Sequence, residues 1–145
     1  MSTSAQTLPE QAGITPSGPR VTLTVLRIMA VLHTLSVLVQ PVLAGSYLSG
    51  DVDALAMHSI NANVASGFGV FQLIAAIVFV WKGRGRQWAI WTSLGIALAE
   101  EVQIGLGFEG LLAAHIPLGV SIVSLQILLT VWLFRANARI PRGVR

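Results

Sequence analysis

An all-α, four-helix transmembrane bundle is the fold this sequence predicts, and three observations predict it. Of 145 residues, 54% are hydrophobic and only 10% charged, with a mean hydropathy of +0.74. A soluble domain carries about a quarter charged residues, so a chain this size cannot hide so much apolar surface in its own core. The apolar residues are gathered in four segments, residues 21–44, 54–81, 87–106 and 111–134. Each approaches or exceeds the ~20 helical residues that cross a hydrocarbon core. Finally, the 9 Lys and Arg residues all fall on one side of those segments. Lipid leaves no partner for an unpaired backbone amide, so the segments are helices rather than open strands.

Residues 1–20 are rich in Ser, Thr, Pro and Gly and read as a disordered tail with little to bury. The first helix follows Arg20 and carries Arg27 near its start. Pro41 should kink it, because proline leaves the carbonyl of Val37 without its amide. Val42-Leu43-Ala44 before Gly45 resembles a signal-peptidase site. The long polar tail ahead of it, and His33 and Gln40 inside the segment, argue that it is not cleaved. Asp51 or Asp53 can cap the second helix, and Gly107 and Gly110 allow a tight turn before the fourth. The loops are short, so consecutive helices should run antiparallel, up-down-up-down. Residues 136–145 form a basic tail.

Lys82, Arg84 and Arg86 lie between the second and third helices, and Arg135, Arg139, Arg142 and Arg145 follow the fourth. The other two loops carry Asp51, Asp53 and Glu109 instead. The positive-inside rule then puts both termini in the cytoplasm, with the chain in the plasma membrane. The sequence pI of about 10.7 is an orientation signal rather than a mark of nucleic-acid binding. Trp81, Trp88 and Trp132 gather at the cytoplasmic boundary, Tyr47 and Phe108 at the outer one, as an aromatic belt requires. With 0 cysteines, thiol redox chemistry, thiolate metal sites and disulfides are excluded. No nucleotide-binding loop, nucleophile triad or soluble catalytic domain is present, so the sequence gives no ground for naming a reaction.

The functional signal is the set of polar residues inside the apolar segments, where such groups are costly unless used. His58 and His115 each lie in the second turn of a helix that enters from the outside. In a bundle their helices are diagonal neighbours, so the two imidazoles can face each other at one level. That is the geometry of a bis-histidine haem iron. Ala62, Ala65, Gly69 and Gly119 keep that face small. Gln40, Asn61, Glu100 and Gln103 converge on the same outer half as candidate pocket residues. Glu100 and Glu101 are ~100° apart around a helix, so Glu100 and Gln103 should face inward and Glu101 outward. A carboxyl buried there could carry a proton. Asn63 reads as glue between helices. His33 has no second histidine at its depth and reads as a histidine bonded to Gln or Ser across helices.

A divalent metal ion is the alternative cofactor, held by the same histidines with carboxylates of the outer half. The third class is a non-enzymatic accessory subunit or small-solute carrier with no cofactor. The expected partners are the lipid bilayer, a membrane redox protein or a second copy of the chain.

The runs Leu38-Val39-Gln40-Pro41-Val42-Leu43-Ala44-Gly45, Met57-His58-Ser59-Ile60-Asn61-Ala62 and Ala114-His115-Ile116-Pro117-Leu118-Gly119 resemble those of small four-helix integral membrane proteins. Their layout is similar to one half of haem A synthase, a b-haem membrane enzyme of two four-helix halves. Each half carries histidines on its second and fourth helices near the outer face. The resemblance implies that His58 and His115 are axial ligands of a b-type haem, for electron transfer or haem handling. The chain holds one half only, so the enzyme's catalytic role does not carry over without a second copy.

Overall fold

The computed structural model describes residues 20–143, with side chains from Val21 onward. Four helices account for nearly all of them: α1 (Arg20–Leu48), α2 (Asp53–Trp81), α3 (Trp88–Phe108) and α4 (Leu112–Phe134). A 3-10 turn, Ala136–Arg139, follows, and the described residues hold no strand. The expectation for the N-terminal tail lies outside them. The basic C-terminal segment is partly folded: Ala138 is fully buried, and the Arg142 amide donates to the Arg84 carbonyl at 2.7 Å.

Helix ends fall where the apolar runs break. α1 continues through Pro41 and a further turn to Leu48, then stops at Gly50 with φ of +104°. Val52, not an aspartate, precedes α2, while Asp51 Oδ1 accepts from the Asp53 amide at 3.2 Å. Gly110 takes φ of +67° and turns the chain from α3 into α4.

α1, α2 and α4 are long and apolar enough to cross a membrane; α3 is not, by composition. The sequence reading gave all four that property. The difference lies in Glu100, Glu101 and Gln103, which lower the hydropathy of a 21-residue helix.

Each helix packs on its chain neighbours, and α1 closes on α4, which leaves α1/α3 and α2/α4 as diagonals. Bonded pairs run in opposite numerical order along each seam. His33, Ser36 and Gln40 of α1 meet Gln72, Asn61 and His58 of α2. Arg27 and Thr34 of α1 meet Leu133 and Thr130 of α4. Arg27 Nε donates to the Leu133 carbonyl at 2.8 Å, close to the α4 C-terminus, and its guanidinium lies 5.0 Å from the Phe134 ring centre.

The core is narrow. Leu26, Phe79, Ile96, Leu129 and Leu133 fill one half, and alanines at positions 30, 65, 75 and 76 let the helices approach. The outside is apolar along its length: Ile28, Phe71, Leu98, Val120 and Leu128 are all at least half exposed. A soluble monomer does not present such a surface, and lipid covers it without cost.

At the basic end, Gly85 folds back so that its amide donates to the Phe79 carbonyl at 2.9 Å. A Cβ there would overlap the fully buried Phe79 ring, which has no room to move. Gly85→Ala should therefore destabilise the bundle by ~1–3 kcal/mol, as overpacking does. Thermal unfolding in detergent micelles measures it; an unchanged midpoint would show that the loop yields instead.

Candidate functional site

A cavity opens in the half of the bundle away from Arg27. It spans about 480 Å³ including its open mouth. His58 and Ala62 of α2, His115 and Gly119 of α4, Glu100 and Gln103 of α3, and Gln40 of α1 line it. All four helices contribute because the cavity lies on the bundle axis.

The two histidines meet across the α2/α4 diagonal, with ring centres 6.2 Å apart and planes inclined at 57°. Each turns Nδ1 to a main-chain carbonyl: His58 to Gln40 O at 3.2 Å, His115 to Gln103 O at 3.0 Å. A carbonyl only accepts, so His115 Nδ1 donates to Gln103 O. The Gln40 amide also approaches His58 Nδ1. Oriented by its neighbours, its nitrogen donates to the His58 carbonyl at 3.2 Å and its oxygen accepts from the Ala62 amide at 2.9 Å. In that orientation the same nitrogen also lies 3.0 Å from His58 Nδ1, so Nδ1 can either accept from the Gln40 amide or donate to the Gln40 carbonyl. Neither Nε2 has a hydrogen-bond partner among the described residues.

Two glycines make room. A Cβ at Gly107 would stand 3.1 Å from His115 Cε1, and one at Gly119 would stand 2.7 Å from Gln103 Nε2. Gln103 Oε1 and Glu100 Oε2 are buried with no hydrogen bond. Glu101 is exposed and accepts from Ser66 Oγ at 2.5 Å.

Asn61 departs from the expected placement. It is not in the lining; its Nδ2 donates to the Ser36 carbonyl at 2.8 Å on the α1/α2 seam. It lies ~60° around the helix from His58, on the side toward α1, whereas Ala62 and Ala65 continue the histidine face. Asn63 is exposed and bonds back to Ser59 O.

Below the cavity runs a polar layer in which His33 meets a glutamine across helices, as expected, together with Glu100 and the Gln72–Gln126 pair, which were not anticipated there. His33 is fully buried; its Nε2 lies 2.5 Å from Glu100 Oε1 and its Nδ1 3.3 Å from Gln72 Oε1. Gln72 and Gln126, both fully buried, exchange amide hydrogen bonds of 3.1 and 2.7 Å across the α2/α4 diagonal. Gln126 Nε2 also reaches the Ala30 carbonyl at 3.1 Å, and Gln72 Nε2 reaches Ser93 Oγ at 3.4 Å. The one available signal was depth: Gln72 and Gln126 stand about equally far from the Trp81 and Phe134 ends of their helices.

Does the site fit a haem? A metal–imidazole bond is ~2 Å and a ring centre lies ~1 Å behind its ligating nitrogen, so two imidazoles on one metal ion have centres ~6 Å apart. The observed 6.2 Å matches that spacing of centres, but the cavity, about 480 Å³ with its open mouth included, is tight for a macrocycle and its substituents, so the helices would have to part to admit one. Fixing Nδ1–H on a carbonyl is also how metal-bound histidines are usually oriented. The lining contains no Lys or Arg, so propionates would rely on water and lipid head groups. A divalent ion is served less well, because no three His, Cys, Asp or Glu side chains come together among the described residues. The sequence matches no family model, and no curated protein or solved structure gives a match.

Proposed function

We propose that this chain is an integral membrane protein that binds a b-type haem between His58 and His115, near the outer face, for electron transfer or haem handling. The observation that carries the reading is the pair of imidazoles with ring centres 6.2 Å apart across the α2/α4 diagonal, each with Nδ1 beside a main-chain carbonyl and no hydrogen bond on Nε2. His58 and His115 would hold the iron. Ala62, Ala65 and Gly119 would leave space for the macrocycle, and Gln40 and Gln103 would fix the rings through their carbonyls. The group itself would supply reversible one-electron chemistry.

In this reading the four helices cross the plasma membrane up-down-up-down with both termini in the cytoplasm. Support comes from the basic residues at one end, where Arg142 binds Arg84 and Trp88 packs edge-on against Trp132, ring centres 4.2 Å apart. α3 can cross despite its composition, because Glu100 pairs one carboxyl oxygen with His33 inside the bundle and Glu101 accepts from Ser66. A membrane redox protein or a second copy would be the partner, and the resemblance to one half of haem A synthase belongs to the same proposal.

Protein purified from membranes should show a Soret band, with sharp α and β bands on reduction. A colourless protein with one equivalent of divalent metal would replace this reading with the metal site. A colourless, metal-free protein would leave an accessory subunit or solute carrier.

A further inference from the structure

We infer that His33 and Glu100 form a proton-binding site that holds one shared proton and exchanges it only through the cavity. This stands with or without an iron between His58 and His115.

The proton count follows from one fixed acceptor. The Ala30 carbonyl can only accept, so the Gln126 group facing it at 3.1 Å is the amide nitrogen. That orientation turns Gln126 Oε1 toward Gln72 Nε2, and Gln126 Nε2 toward Gln72 Oε1. Gln72 Oε1 thus faces His33 Nδ1 as an acceptor, and Nδ1 must carry a hydrogen. The remaining contact, His33 Nε2 to Glu100 Oε1, then needs one hydrogen of its own. Without it, a lone pair would face a carboxylate oxygen in a buried site. Whether that hydrogen rests on the imidazole or the carboxyl, the pair carries one proton and no net charge. That is the form a low-dielectric interior tolerates.

The direction of exchange follows from the neighbours. Glu100 lines the cavity and stands between it and His33. On the other side the Gln72–Gln126 amide pair blocks the way, since an amide does not readily pass a proton on. Beyond it lie the fully buried Leu26, Phe79, Leu129 and Leu133. Around the pair, α2 contributes neutral Gln72 and, in the cavity, His58. α3 contributes Ser93, and α4 contributes Gln126 and, in the cavity, His115. No Lys or Arg lines the cavity.

Nitrogen NMR of histidine-labelled full-length protein in nanodiscs reads the His33 tautomer. Infrared spectra on transfer to D₂O read the exchangeable glutamate. Expected are a protonated His33 Nδ1 and, with it, either a deuterium-sensitive carboxyl signal that is lost in Glu100→Gln or a His33 Nε2 that is also protonated and loses that hydrogen in Glu100→Gln. Glutamine there imitates the neutral acid in shape and hydrogen bonding, so the bundle should survive. Ala62→Leu, which narrows the cavity, should slow the exchange. A His33 with bare Nδ1, or a His33 with bare Nε2 together with no Glu100-dependent carboxyl signal, would overturn the shared proton. Exchange unchanged in a folded Ala62→Leu variant would overturn the route.

Discussion

His33→Leu is expected to destabilise the bundle by about 3 kcal/mol, whereas His33→Leu/Glu100→Leu should recover most of that loss. Removing one partner of a buried pair strands the other, at ~3–5 kcal/mol, while replacing both with apolar groups is often neutral. Glu100 has no substitute partner: its Oε2 already lacks a hydrogen bond and lies against Gly69, where a Cβ would collide with it. Gln72 Oε1 would keep only its bond from Gln126. The loss falls at the low end because Glu100 borders the open cavity, where water can reach it. Ordinary interhelical hydrogen bonds in membranes average only ~0.6 kcal/mol, so a measured loss near that value would mean the pair is nothing more than glue. Unfolding of both variants in mixed micelles decides between these, and a double variant no better than the single one would sink the argument.

Helix positions were legible in the sequence because charge and glycine interrupt the apolar runs sharply at Gly50-Asp51, Lys82–Arg86 and Gly107–Gly110. Facing was legible wherever two polar residues lay close together on one helix. The ~100° step separates Glu100 and Gln103 from Glu101 before any coordinates are consulted. Isolated polar residues defeat that reasoning. Gln72 stands alone in an apolar stretch, and a lone glutamine has no phase to compare with a neighbour; Gln126 and Thr130, four residues apart, do share a face. His33 was placed against Gln or Ser, and it does meet Gln72, but its closer partner Glu100 sits on the diagonal helix. Depth counted from the outer boundary put Glu100 nearer the surface than His33, and a helical side chain's reach along the axis closes that gap. Asn61 failed for the opposite reason. Proximity to His58 in sequence suggested a shared pocket, while the helical step carries it to the seam with α1.

Loss of either imidazole is expected to abolish the low-spin haem spectrum, and His115→Gly should regain it with added imidazole, because the missing ring leaves a space of its own size. Ser59→Ala, at an exposed position, should leave the spectrum intact. Complete loss alone would also follow from misfolding, so a graded variant is the stronger test. Gly107→Ala leaves both ligands in place but sets a methyl group 3.1 Å from His115 Cε1 and 3.3 Å from Nδ1. The ring must shift by a few tenths of an ångström, straining its bond to the Gln103 carbonyl. Disturbing the group that orients a metal ligand typically costs ~10–100-fold in affinity. Haem titration should therefore place Gly107→Ala between wild type and His115→Ala, with thermal unfolding of the haem-free protein nearly unchanged. Gly119→Ala meets only the flexible end of Gln103, and its effect should be smaller. If Gly107→Ala binds haem as wild type does, His115 is not held against α3 for the sake of an iron, and the bis-histidine reading loses its support.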